Sequence, residues 1–102
     1  MLQPATILSV IDVIATINLK PGVRDQFLAI FNANVPNVLA EDGCHQYYPA
    51  VDIASGHSRA ESSYDRVTVV EKWRDVAALA AHSASPHEPT ASRSKAWSTA
   101  LA

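Results

Sequence analysis

Val67-Thr-Val-Val-Glu-Lys-Trp-Arg-Asp-Val-Ala-Ala-Leu-Ala-Ala-His-Ser-Ala-Ser-Pro-His87 changes its period halfway along, and that change decides the fold. Up to Trp73 the residues alternate, with Val67, Val69, Glu71 and Trp73 on one parity and Thr68, Val70 and Lys72 on the other, the pattern of a strand. Asp75 is a capping residue in front of an alanine-rich run, so a short helix is expected over 75–82. Ser85-Pro86-His87-Glu88 combines a capping box with proline at the first helical position and predicts a further helix over 86–97. An indole (Trp73), a carboxylate (Glu71) and two imidazoles (His82, His87) are thereby brought near one end of a sheet, where a small pocket can form.

Working back from that stretch, the strand is expected to begin at 64, after a polar, serine-rich segment over 52–63 with Gly56 that reads as a long, mobile hairpin loop. Residues 44–51 form a second strand, which Pro49 places at an edge or a bulge. Glu41-Asp42-Gly43 supplies the glycine of a helix stop. Before it, Val23, Phe27, Ile30, Phe31, Val35, Val38 and Leu39 recur at steps of three and four, so 22–41 is a helix with one apolar stripe, carrying Pro36 inside it. Residues 7–19 read as the first strand. Apolar side chains occupy both of its parities (Ile7, Ile11, Val13, Ala15, Ile17 and Leu8, Val10, Ile14), which is the pattern of a strand covered on both faces.

The order is β-α-β-β-α, an α+β, ferredoxin-like arrangement with an antiparallel sheet and with its last strand missing or replaced: either the chain is naturally short or trimmed there, or the first strand or a partner subunit takes the vacant edge. With 102 residues, 48% hydrophobic and 18% charged, residues 1–102 are expected to form one domain with a single modest core. A net charge of −2 gives no basic patch for nucleic acid, and no charge run suggests a membrane surface. The apolar start is interrupted by Ser9, Asp12 and Thr16 and is too short for a membrane span. Cys44 is the one cysteine, so neither an internal disulfide nor a zinc spacing exists, and a cytoplasmic location is expected.

Leu19-Lys20-Pro21-Gly22, Glu41-Asp42-Gly43-Cys44 with Tyr47, Val70-Glu71-Lys72-Trp73, and Ala81-His82 followed by Ser85-Pro86-His87 come in an order and spacing that resembles the antibiotic-biosynthesis monooxygenase family. The resemblance covers Ile11 to about Trp97 and implies a dimeric α+β barrel, in which the helix-free sheet face packs on that of a second copy. It implies oxygenation of a small aromatic substrate by dioxygen, with no metal, flavin or nicotinamide as cofactor. Haem-degrading relatives carry an asparagine and an iron-ligating histidine where this chain has Ala15 and Ser92, so haem chemistry is not expected. Anthrone-oxidising relatives carry an asparagine where Val69 stands, leaving Trp73 as the matched residue.

Cofactor-free oxygenation needs an electron-rich phenol, a base to ionise it, donors to hold the anion, and a dry pocket. His82 and His87 are the candidate catalytic bases, since an imidazole titrates near neutrality. Tyr47 and Trp73 are candidate substrate-binding donors, and Glu71 is a further binding candidate, more readily satisfied by a structural hydrogen bond. Two other readings share the pattern. One is an isomerase of a small phosphorylated sugar-like signalling metabolite, which would need a cationic site at Arg66 or Arg93. The other is a non-catalytic dimer that binds a small molecule.

Overall fold

The computed structural model describes residues 10–57 and 60–87, and in it the alternating segment becomes the middle strand of three. Strand β1 (Ile11–Asn18), helix α1 (Arg24–Leu39), strands β2 (Cys44–Val51) and β3 (Arg66–Trp73) and helix α2 (Val76–Ser83) follow in that order. The sheet runs β1-β3-β2 with both pairings antiparallel. β2 therefore lies on an edge, where the missing N–H of Pro49 is tolerated, and a bulge at His45 shifts its register between Cys44 and Gln46.

Cross-strand register puts Ile11, Val13, Ala15 and Ile17 of β1 opposite Trp73, Glu71, Val69 and Val67 of β3, and Tyr47 beside Glu71 from the other side. This is the face the helices cover. Phe27, Phe31 and Val38 of α1 and Ala78 of α2 are buried against it together with Val67, Val69, Tyr47 and Trp73. Each large apolar side chain fully withdrawn from water contributes about 1.5–3 kcal/mol.

The opposite face carries a continuous apolar row, Ile14 paired with Val70 and Val70 with Tyr48, with Asp12 and Lys72 ion-paired at 2.7 Å one step along. Ile14 is 66% exposed and Tyr48 46%. Among the described residues, the first strand's two apolar parities thus do not both find cover. The parity that faces the helices is half-buried and the other lies open.

Boundaries differ from the sequence expectation by a residue or two, for local reasons. Gly22, at φ 84°, belongs to the turn before α1 instead of to the helix. Tyr64 and Asp65 form a turn before β3, and Leu19 extends β1 only through a single bond from its N–H to the Asp65 carbonyl. Asp75 caps α2 from outside, its side chain accepting the Ala78 N–H at 2.8 Å. Residues 7–9 of the first strand lie outside the described residues. Pro86 and His87 form a turn, so the helix expected over 86–97 does not begin there, and its remainder lies outside the described residues. The Ser85 hydroxyl does accept the His87 N–H at 3.2 Å, as a helix cap would.

The 52–63 loop, expected to be mobile, is clasped at its neck. Arg66 reaches Asp52 at 2.8 Å and the Glu61 carbonyl at 3.1 Å, while the Ser63 N–H donates to Asp52. No helix among the described residues is long and apolar enough to cross a membrane.

Candidate active site

Helix α1 ends at Leu39, and the next turn brings Glu41 back over α2. Gly43 makes this possible: at φ 83° it sits in the left-handed region, and a Cβ there would lie 2.6 Å from the Ala78 Cβ. The Gly43 carbonyl accepts the Arg74 N–H at 2.7 Å, locking the turn to the end of β3. With the backbone so placed, the Glu41 carboxylate bridges two imidazoles. Oε1 lies 2.8 Å from His82 Nδ1, Oε2 lies 2.8 Å from His87 Nδ1, and the Ser85 hydroxyl donates to Oε2 at 3.3 Å.

The two histidines stand in different surroundings. His82, in the last turn of α2, is 1% exposed; its ring lies 4.6 Å from the Trp73 ring and makes an edge contact with Tyr47 at 5.7 Å. Phe31 stacks on Tyr47 at 5.1 Å and continues the aromatic layer into the core. His87 is partly exposed and held from α1, because the Asn34 side-chain amide donates to its carbonyl at 2.9 Å. It lines a cleft of about 380 Å³, with Glu41 and Ser85 beside it, Asp42 and Arg74 opposite, and Ala77, Ala78 and Ala81 of α2 as the floor.

Burial by itself pushes the Glu41 carboxyl up, but the hydrogen bonds from His87 and His82 and the charge of His82 outweigh it, leaving this group below the ordinary value. Burial also pushes the Cys44 thiol up, and the charges of Glu41 and Glu71 add to that, which favours its protonated form. Across the cleft, Arg74 holds the Asp42 carboxyl down through a two-point salt bridge.

Of the residues singled out from sequence, His82, Tyr47, Trp73 and Glu71 come together in one buried layer, while His87 joins them only through Glu41. Tyr47 faces inward and Tyr48 outward. The Trp73 indole, expected as a donor to a ligand, instead gives its N–H to Glu71 Oε1 at 2.8 Å, which satisfies the buried carboxylate. Glu41 lies in Glu41-Asp42-Gly43-Cys44, a segment that accounts for a helix stop and carries part of the family resemblance but does not announce the carboxylate's role. Asn34 gave no signal at all. Among the described residues, no group of three His, Cys, Asp or Glu is placed to hold a metal ion.

Comparison with known proteins places this geometry among relatives. Residues 11–92 match the family model described as antibiotic biosynthesis monooxygenase. The probable quinol monooxygenase YgiN of Escherichia coli K12 is 43% identical over 81 residues, covering 74% of each chain. Among solved structures, PA3566 from Pseudomonas aeruginosa superposes with a TM-score of 0.69 at 30% identity, over 88% of this chain and 83% of its own. Rv0793 from Mycobacterium tuberculosis does so at 0.63 and 28%, over 78% and 71%.

Proposed function

Because the chain belongs to the antibiotic biosynthesis monooxygenase family, we propose that it oxidises a phenolic, quinol or anthrone-type small molecule with dioxygen and without metal, flavin or nicotinamide. The observation that carries this reading is the Glu41-held imidazole pair beside the Tyr47–Trp73 layer, in a chain 43% identical to a probable quinol monooxygenase. A histidine takes the proton of a quinol hydroxyl, and the resulting anion is electron-rich enough to reduce dioxygen. A carbon–peroxide bond forms; its O–O bond then breaks, one oxygen staying on the ring and the other leaving as water, so a quinol and dioxygen give a hydroxyquinone and water. Ala77, Ala78 and Ala81 supply the apolar wall of the cleft beside His87, while the Tyr47–Trp73 layer is buried and does not line it.

The test is oxygen uptake over a panel of naphthohydroquinones and anthrones under catalase and superoxide dismutase. Turnover above autoxidation supports the reading, and its absence across the panel defeats it. The phosphorylated-sugar isomerase gains nothing from the structure. Arg66 is committed to Asp52, and Arg74 to Asp42 and Asp75; Arg93 lies outside the described residues.

The same reading includes a homodimer formed through the open sheet face. Ile14, Val70 and Tyr48 give it an apolar centre, and covering that row with a second copy would complete the burial that both parities of the first strand call for. Sedimentation should give a dimer at micromolar concentration, and Tyr48→Glu should dissociate it; a compact wild-type monomer would rule this out. A cytoplasmic location agrees with the one cysteine being a protonated, packed thiol.

A further inference from the structure

The Glu41 carboxylate is the one group that touches both candidate bases, and its two oxygens are divided between them at the same distance, 2.8 Å. An ionised carboxylate can only accept hydrogen bonds. Each imidazole must therefore offer it an Nδ1–H, and a neutral imidazole that carries its proton on Nδ1 has its lone pair on Nε2. We infer that Glu41 is the positioning residue of this site: a single carboxylate fixes the same tautomer in both histidines and so keeps two proton acceptors, His82 Nε2 in the aromatic layer and His87 Nε2 at the cleft. The inference rests on the proposed oxygenase reading for its catalytic meaning, but its structural content does not depend on substrate.

The surroundings favour an ionised Glu41. Ser85 donates a third hydrogen bond to it, and its folded carboxyl sits below the ordinary value. The other charged groups near it are already spoken for: Asp42 and Arg74 across the cleft pair with each other, and Glu71 accepts from Trp73. The Tyr47 phenol and the Cys44 thiol complete the titratable neighbours. No neighbouring cation among these competes with the imidazoles for Glu41.

Nitrogen-15 NMR of histidine-labelled protein tests the tautomers directly in the unmodified chain. Above the pH at which both rings are neutral, His82 and His87 should each show a protonated Nδ1 and an unprotonated Nε2; either ring found protonated on Nε2 overturns the inference. Glu41→Gln supplies one carbonyl oxygen and one amide N–H₂ in the same volume, so only one ring can keep its Nδ1–H. One of the two should switch tautomer, and kcat with a naphthohydroquinone should fall about a hundredfold with KM changed by less than about threefold. An unchanged kcat, or a loss confined to thermal stability, also overturns it. If the variant does not fold, the wild-type spectrum alone decides. If the wild type takes up no oxygen, the oxygenase reading falls while the spectrum still decides this one.

Discussion

Two carboxylates close the two ends of the β2–β3 ladder, Asp52 where the hairpin loop leaves and Glu41 where α1 delivers the chain. Each sits 2.8 Å from a basic side chain on a later element and accepts further hydrogen bonds from its surroundings. Their partners differ. Asp52 meets a guanidinium, a permanent charge in a planar fork, and the result is a clasp on a loop. Glu41 meets two imidazoles, which can exist neutral or protonated, and one of them is enclosed by Trp73 and Tyr47. Similar geometry thus yields a structural tie at one end and, on the proposed reading, proton chemistry at the other, and the difference lies in the partner's chemistry and in what surrounds it.

The contrast is broken most severely by His82→Ala. That change opens a cavity under Trp73 and leaves half of the Glu41 carboxylate without its partner, so a loss of about 3 kcal/mol is expected in urea unfolding. Next is Gly43→Ala, which forces a Cβ against Ala78 at a left-handed backbone position. It should cost about 2 kcal/mol and displace Glu41, reducing turnover while leaving the loop clasp intact. Asp52→Ala should cost only about 1 kcal/mol, since both partners are partly exposed, and should leave turnover unchanged. A comparable loss of activity from Asp52→Ala would erase the distinction between the two ends.

The smallest effect is on acid stability, and it sharpens the comparison. The Glu41 carboxyl is lower in the folded chain than its ordinary value of 4.5, so the stability it contributes is fully present above that value and is lost as pH falls through the lower, folded one. Subtracting the Glu41→Gln melting curve from that of the wild type should therefore give a difference that shrinks as pH falls below about 4.5. A difference that grew on acidification would reverse the sign of the argument.

The fold was legible because its punctuation is local. Gly43 and the Asp52 turn delimit β2 at the bounds read from sequence, and Asp75 caps α2 as its residue type announces. What the period could not show was where the second face of β1 finds cover, because apolar residues on both parities report a need for burial and not the chain that satisfies it. In the site, the Trp73–His82 contact spans nine residues of one strand–helix unit and could be read off the motif. Glu41 could not, because its partners lie 41 and 46 residues away and its immediate context, Glu-Asp-Gly, has a sufficient local explanation as a turn. Trp73 is buried at the strand end, and its N–H goes to Glu71, two residues back on the same strand face, because that carboxylate is already within reach.

The tilted contact of His82 with Trp73 makes the chain carry its own optical gauge. An imidazolium 4.6 Å from an indole drains its excited state by accepting an electron, whereas a neutral ring does so poorly. With Trp97 replaced by phenylalanine, emission from Trp73 would dim whenever His82 gains a proton and brighten when it is relieved of one. The charge of a fully enclosed histidine could then be followed in a cuvette, in real time, as substrate is added.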